Sequence, residues 1–115
     1  MSSTNDPSAL EEKIRTLEQL IAADPNDPDL PFLLGKALLD AKQFEASAAR
    51  LDQAANLNPN LAAIWRFWGE ALLGAGDPEA ARTIWTDGIA VAERTGELQA
   101  GKEMNVLRRR HSGKE

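Results

Sequence analysis

Residues 64–76 read IWRFWGEALLGAG, and how these large groups are used decides the fold. Three of the chain's six aromatic residues, Trp65, Phe67 and Trp68, fall in four positions, and Gly69 follows at once. Such a run suits either a platform on which a ligand stacks or the seam between two packed helices. Trp65, Trp68, Gly69 and Leu72 lie at i, i+3, i+4 and i+7, which is one face of a helix. A glycine on that face lets a second backbone come close. The spacing therefore predicts a core seam, with each tryptophan burying about 150–250 Å². Any binding surface belongs on the other side of the same helix.

The stretch also recurs. Sliding the chain by 34 residues lays 28–61 on 62–95 without a gap. Gly35 meets Gly69, Leu38 and Leu39 meet Leu72 and Leu73, Ala41 meets Ala75, and Glu45 meets Glu79. The match continues backwards, with Glu11 on Glu45, Leu17 on Leu51 and Pro25 on Pro59. A period of this length signals stacked two-helix units. In the second unit, Gly76-Asp77-Pro78 breaks the first helix; Asp77 can cap the next, whose first turn tolerates Pro78 because it needs no N–H there. Ala81, Ile84, Trp85 and Gly88 continue the helical spacing, as Ser47, Leu51 and Ala54 do in the first unit.

Trp65-x-x-Trp68-Gly69-x-x-Leu72 followed by Ala81-x-x-x-Trp85 resembles the tetratricopeptide repeat signature. Leu34-Gly35-x-x-Leu38, Ser47-x-x-x-Leu51 and Pro59 carry the same resemblance in the first unit. It implies an all-α superhelix of helix–turn–helix pairs with a right-handed twist, about six helices in all. The organisation reads as a half-repeat at 8–25, repeats at 28–61 and 62–95, and a capping helix at 97–110, together one domain at 8–111. Three residues depart from the signature: Pro31 stands at a tryptophan position, Trp68 at a leucine position and Glu93 at the closing proline.

At the ends, Ser8 with Glu11 reads as a capping box, so the first helix is expected to start near Ser8. Its apolar face is Leu10, Ile14, Leu17, Leu20 and Ile21. In the last helix the 34-residue step would bury Lys102 and Glu103; a slipped register that turns Ala100, Gly101, Met104 and Leu107 inward suits the side chains better. Residues 1–7 and 112–115 are expected to be disordered.

The first helix of each pair, in the repeats this chain resembles, lines a concave groove that holds an extended peptide or a partner's helix. By helical face, residues 29–41 present Asp29, Phe32, Lys36, Leu39 and Asp40 there, and 62–75 present Ala63, Arg66, Glu70 and Leu73. Phe32, Lys36, Leu39, Asp40, Arg66, Glu70 and Leu73 are the candidate partner-binding residues, with Met104, Lys102 or Arg108 joining according to the last helix's register. The same residues could satisfy one another, Lys36 beside Glu70 and Phe32 beside Arg66. Some family members grip a chaperone's C-terminal carboxylate with lysine, arginine and asparagine; Phe32 and Glu70 stand at those positions and disfavour that ligand.

Composition narrows the function further. The chain has 115 residues, room for a single domain with one modest core. With no cysteine and a lone histidine, His111, it offers no disulfide, thiolate site, histidine metal cluster or catalytic triad, and no cofactor is expected. The net charge of −5 argues against general nucleic-acid binding. That charge is uneven: residues 1–57 carry ten acids against five bases, 58–115 eight of each, and Arg108-Arg109-Arg110 make a local basic end. Neither a secretory leader nor a membrane-length apolar run is evident, which predicts a cytoplasmic protein. The residues thus point to a non-catalytic adaptor binding a protein or peptide. A self-associating structural module, built through exposed apolar surface and the last helix, is the alternative.

Overall fold

A computed structural model gives residues 6–112, which form six helices. They are α1 (Pro7–Ala23), α2 (Asp29–Asp40), α3 (Phe44–Leu57), α4 (Ala62–Gly74), α5 (Pro78–Thr95) and α6 (Leu98–Arg110). The chain is an all-α solenoid, with no strand among the described residues. Each helix packs on its neighbour in sequence, and α4 also touches both α2 and α6. No such contact joins α1 to α3 or α3 to α5. So α2, α4 and α6 form the close-packed inner layer, and α1, α3 and α5 the outer one.

Local chemistry sets where each helix starts and stops. The carboxylate of Asp6 accepts the N–H of Ser8 at 3.0 Å and Pro7 fills the first helical position, so Asp6 caps α1 instead of Ser8. Residues 1–5 and 113–115, most of the expected disordered ends, lie outside the described residues. α3 stops at Leu57 because Pro59 disfavours helix at the residue before it. Thirty-four residues on, Glu93 replaces that proline, and α5 runs unbroken to Thr95, where Gly96 ends it at φ 78°. α6 therefore begins 36 residues after α4, from Ala62 to Leu98, and not 34. The two extra residues produce the slipped register: Met104 is fully buried, Ala100 and Leu107 pack on the core, and Lys102 stays outside. Glu97 fixes the junction by accepting the N–H of Ala62 on both carboxylate oxygens, at 3.2 and 3.1 Å.

The tryptophan run is spent as its spacing predicts. Trp85 is fully buried across from Gly69, and its indole N–H donates to the carbonyl of Arg66 at 3.2 Å. Trp65 is buried too, while Trp68 is half-buried with its ring 6.5 Å from that of Trp65. In the first repeat Leu51 takes the place of Trp85 against Gly35, whose carbonyl accepts the buried Ser47 hydroxyl at 2.7 Å. A Cβ added at Gly69 would lie within 2.6 Å of three indole atoms. Gly69→Ala is therefore expected to destabilise the fold by roughly 1–3 kcal/mol, measured by urea denaturation; a change under about 0.5 kcal/mol would show that α4 and α5 separate at little cost.

Each repeat turns between its helices through the same hydrogen bonds. Lys42 and Gln43 donate to Leu39 and Leu38, as Gly76 and Asp77 donate to Leu73 and Leu72. The shared turn needs a left-handed residue: Gly76 has φ 89°, and Lys42 is forced to φ 60°. Lys42→Gly is expected to stabilise the chain by about 1 kcal/mol. An unchanged or lowered urea midpoint would contradict this.

Candidate functional site

Because α2, α4 and α6 lie side by side, residues on their inner faces form rows across the solenoid. Phe32 packs on Phe67, 35 residues later, with ring centroids 5.9 Å apart. Arg66 meets Glu103, 37 residues later, at 3.5 Å. The two-residue increase is the lengthening at the end of α5, so both contacts fall one residue beyond the equivalent position on the neighbouring helix. Carried across, Ala63, Arg66 and Glu70 correspond to Gln99, Lys102 and Val106.

The row offset decides which candidate residues meet. Phe67, not Arg66, lies beside Phe32. The ammonium of Lys36 sits over both rings, 5.1 Å from Phe32 and 5.3 Å from Phe67, instead of beside Glu70. Arg66 also lies over Phe67, its guanidinium 4.4 Å from that ring. It also pairs with Glu70 of its own helix at 3.8 Å. Two cations thus bracket one phenyl ring, each contact worth roughly 0.5–1 kcal/mol at such a half-exposed site. Lys36 makes no ion pair among the described residues, since both that are present belong to Arg66.

Between α4 and α6 the face opens into a hollow of about 390 Å³. Arg66 and Glu70 line it from α4, and Gln99, Lys102, Glu103, Val106 and Leu107 from α6. The remaining candidates lie apart from it. Leu73 is half-buried against the core, Leu39 is half-buried, and Asp40 lines a separate shallow hollow with Pro7 and Leu10 at the start of α1. Of the three α6 candidates only Lys102 reaches the inner face. Met104 is in the core, and Arg108 turns away to Asn105 and to Thr86 of α5. Phe67, Glu103 and Val106 were not among the sequence candidates. A face drawn on one helix cannot show the offset to its neighbour, and α6 had no settled register.

Burial raises the carboxyl of Glu70 above the usual glutamate value; the guanidinium of Arg66 opposes this and the nearby Glu103 adds to it. The folded state then holds that proton more tightly than the unfolded chain. Its contribution to stability is present at acid pH and is lost as pH rises through the raised value. Glu70→Gln, always neutral, is expected to be at least as stable as wild type near about pH 7 and to lose that advantage toward about pH 4. Urea midpoints across this range measure it. A variant weaker than wild type only at neutral pH would mean that attraction to Arg66 outweighs burial.

The same architecture occurs in known proteins. A family model described as tetratricopeptide repeat matches residues 14–67. The TPR repeat-containing protein PA0015 of Pseudomonas aeruginosa is 38% identical over 97 residues, covering 84% of this chain and 92% of that protein. The solution structure of protein BPP2914 from Bordetella parapertussis superposes with a TM-score of 0.76 at 33% identity, over 86% of each chain. The TPR2B domain of yeast Sti1, solved in complex with pHsp70, superposes at 0.84 over 92% of this chain and 85% of that one. At 15% identity, that last likeness is one of fold alone. With the 34-residue step, the seam glycines and the stacked helix pairs already in place, the chain belongs to the tetratricopeptide repeat family.

Proposed function

We propose that this chain is a cytoplasmic, non-catalytic interaction module that holds a segment of a partner protein along the inner face of α2, α4 and α6. One observation carries the reading. Phe32 and Phe67 remain half-exposed under Lys36, and the face then opens into the hollow bordered by Val106 and Leu107. Large apolar groups kept at the surface beside an open hollow suit a partner's apolar side chain, and the cations around them suit a polar backbone or an acid. The complex of the TPR2B domain of yeast Sti1 with pHsp70 gives the fold a precedent for binding a protein partner. Arg66 is engaged by Glu70 and Glu103, which leaves it unsuited to gripping a terminal carboxylate. Chaperone-tail recognition therefore stays disfavoured, and an internal apolar segment is the better fit.

The ring of His111 stacks 6.0 Å from that of Trp85, and its carbonyl accepts Arg82 at 2.7 Å. No group of acids and histidines suited to a metal ion occurs among the described residues. No described helix is long and apolar enough to cross a membrane.

Affinity capture from the native host's lysate tests the reading, comparing wild type with a Phe32→Ala/Val106→Glu variant whose helicity is first confirmed by circular dichroism. Both side chains are partly exposed, so the fold should survive. The expected result is a protein held by wild type and released at least about tenfold more readily by the variant. Equal capture by the two would remove the inner face as the binding site.

A further inference from the structure

Apart from the inner face, two of the most exposed large apolar side chains mark the two ends of the solenoid. Leu98 on α6 is 67% exposed and Leu20 on α1 is 46% exposed. Each is exposed because its helix lacks one neighbour. Leu20 occupies the repeat position of Ala54 and Gly88. Gly88 is wedged between Trp65 of α4 and Met104 of α6, and Ala54 is fully buried. Their helices, α5 and α3, each lie between two inner helices, whereas α1 touches α2 alone. Leu98 occupies the position of Ala62, which is fully buried where α5 lies beyond α4. Beyond α6 no helix follows among the described residues. That edge instead carries an open hollow of about 340 Å³, between Ile89 and Ala92 of α5 and Leu98, Gly101 and Asn105 of α6.

What each end lacks, the other end has. Leu20 wants an inner-type helix, and α6 is one; Leu98 wants an outer-type helix, and α1 is one. We propose that copies of this chain stack head to tail, α1 of one copy lying along α6 of the next, so that Leu20 and Leu98 are covered in the same contact. Charge favours this pairing over a symmetric one. α1 carries Glu11, Glu12 and Glu18 against Lys13 and Arg15, with Asp24 just behind, while α6 carries Lys102 and three arginines against Glu103. Two α6 helices would bring like charge together. The seam is only partly apolar: Lys13 stands where Ser47 and Ala81 are buried, and Arg108 where Leu72 packs. The association is accordingly weak and sensitive to salt.

Sedimentation equilibrium tests this with the chain as it is. At low salt the weight-average mass should rise with concentration into the hundreds of micromolar, and it should fall toward one chain as salt is added. Leu20→Glu and Leu98→Glu alter exposed side chains and should keep the helicity of wild type. Each alone is expected to weaken self-association about tenfold or more. Mixed in equal amounts, they should recover a dimer and nothing larger, since each retains the end the other has lost. A wild type of constant single-chain mass would overturn the proposal. So would either variant associating alone as wild type does, or a mixture that recovers nothing.

Discussion

At Gly69 the backbone of α4 lies against the indole of Trp85 with no space for a methyl group, and the rest of the solenoid depends on that approach. It lets the indole N–H reach the Arg66 carbonyl and seats Trp85 deep enough to be fully buried. It also sets the angle at which α5 leaves, and so where Gly88 can receive Met104 of α6. The inner face is the reverse side of this contact. Because one side of α4 is committed to Trp85, its other side carries Arg66, Phe67 and Glu70 to the surface in a fixed row. The first repeat makes the same approach with a smaller group, Leu51 against Gly35, and adds the Ser47 hydroxyl. Position 81, equivalent to Ser47, is alanine, and the second repeat takes its polar contact from the tryptophan instead.

The inner face is not uniform along its length, and the cause is which residues occupy its equivalent positions, Phe32 and Phe67 at one step, Arg66 and Glu103 at the next. Between α2 and α4 the rows meet at a step that pairs phenyl with phenyl and leaves Lys36 seated over both rings. Between α4 and α6 the equivalent contact places Glu103 on the Arg66 guanidinium, which Glu70 of the same helix already meets. One half is aromatic and cationic, the other polar with an apolar rim. A ligand crossing the face would meet different chemistry at each end, which gives its direction along the groove a physical basis.

Most of the architecture was legible in the residues. Glycines at a fixed spacing, prolines at helix starts and a self-match over three elements constrain an all-α solenoid tightly, because each demands a particular backbone. Lys42 in a left-handed turn was hidden, since nothing about a lysine announces that conformation; only its partner Gly76 did. The inner face was harder to read. Arg66 and Glu70 were placed on it from their own helix, but their partners depend on how the neighbouring helix slides. That offset is decided by a loop, and Glu93 in place of a proline changes its length without leaving a motif. Phe67 escaped for the same reason: it lies on the flank of α4 when viewed alone and reaches the groove only once α2 is beside it.

The Glu97 carboxylate reaches back to the first N–H of α4 across a whole repeat, and this has a bearing on how such an array could grow. A duplication that copied residues 62–95 would reproduce both helices of the unit and omit the glycine stop and the acid that seats it. Where the two copies join, the second α4 would then follow the first α5 two residues too early, with neither the Gly96 stop nor the Glu97 clasp at that junction. A duplication copying 62–97 would carry its own hinge and dock without rearrangement. The unit that can be inherited is therefore the helix pair together with its clasp, and its edges fall after Glu97.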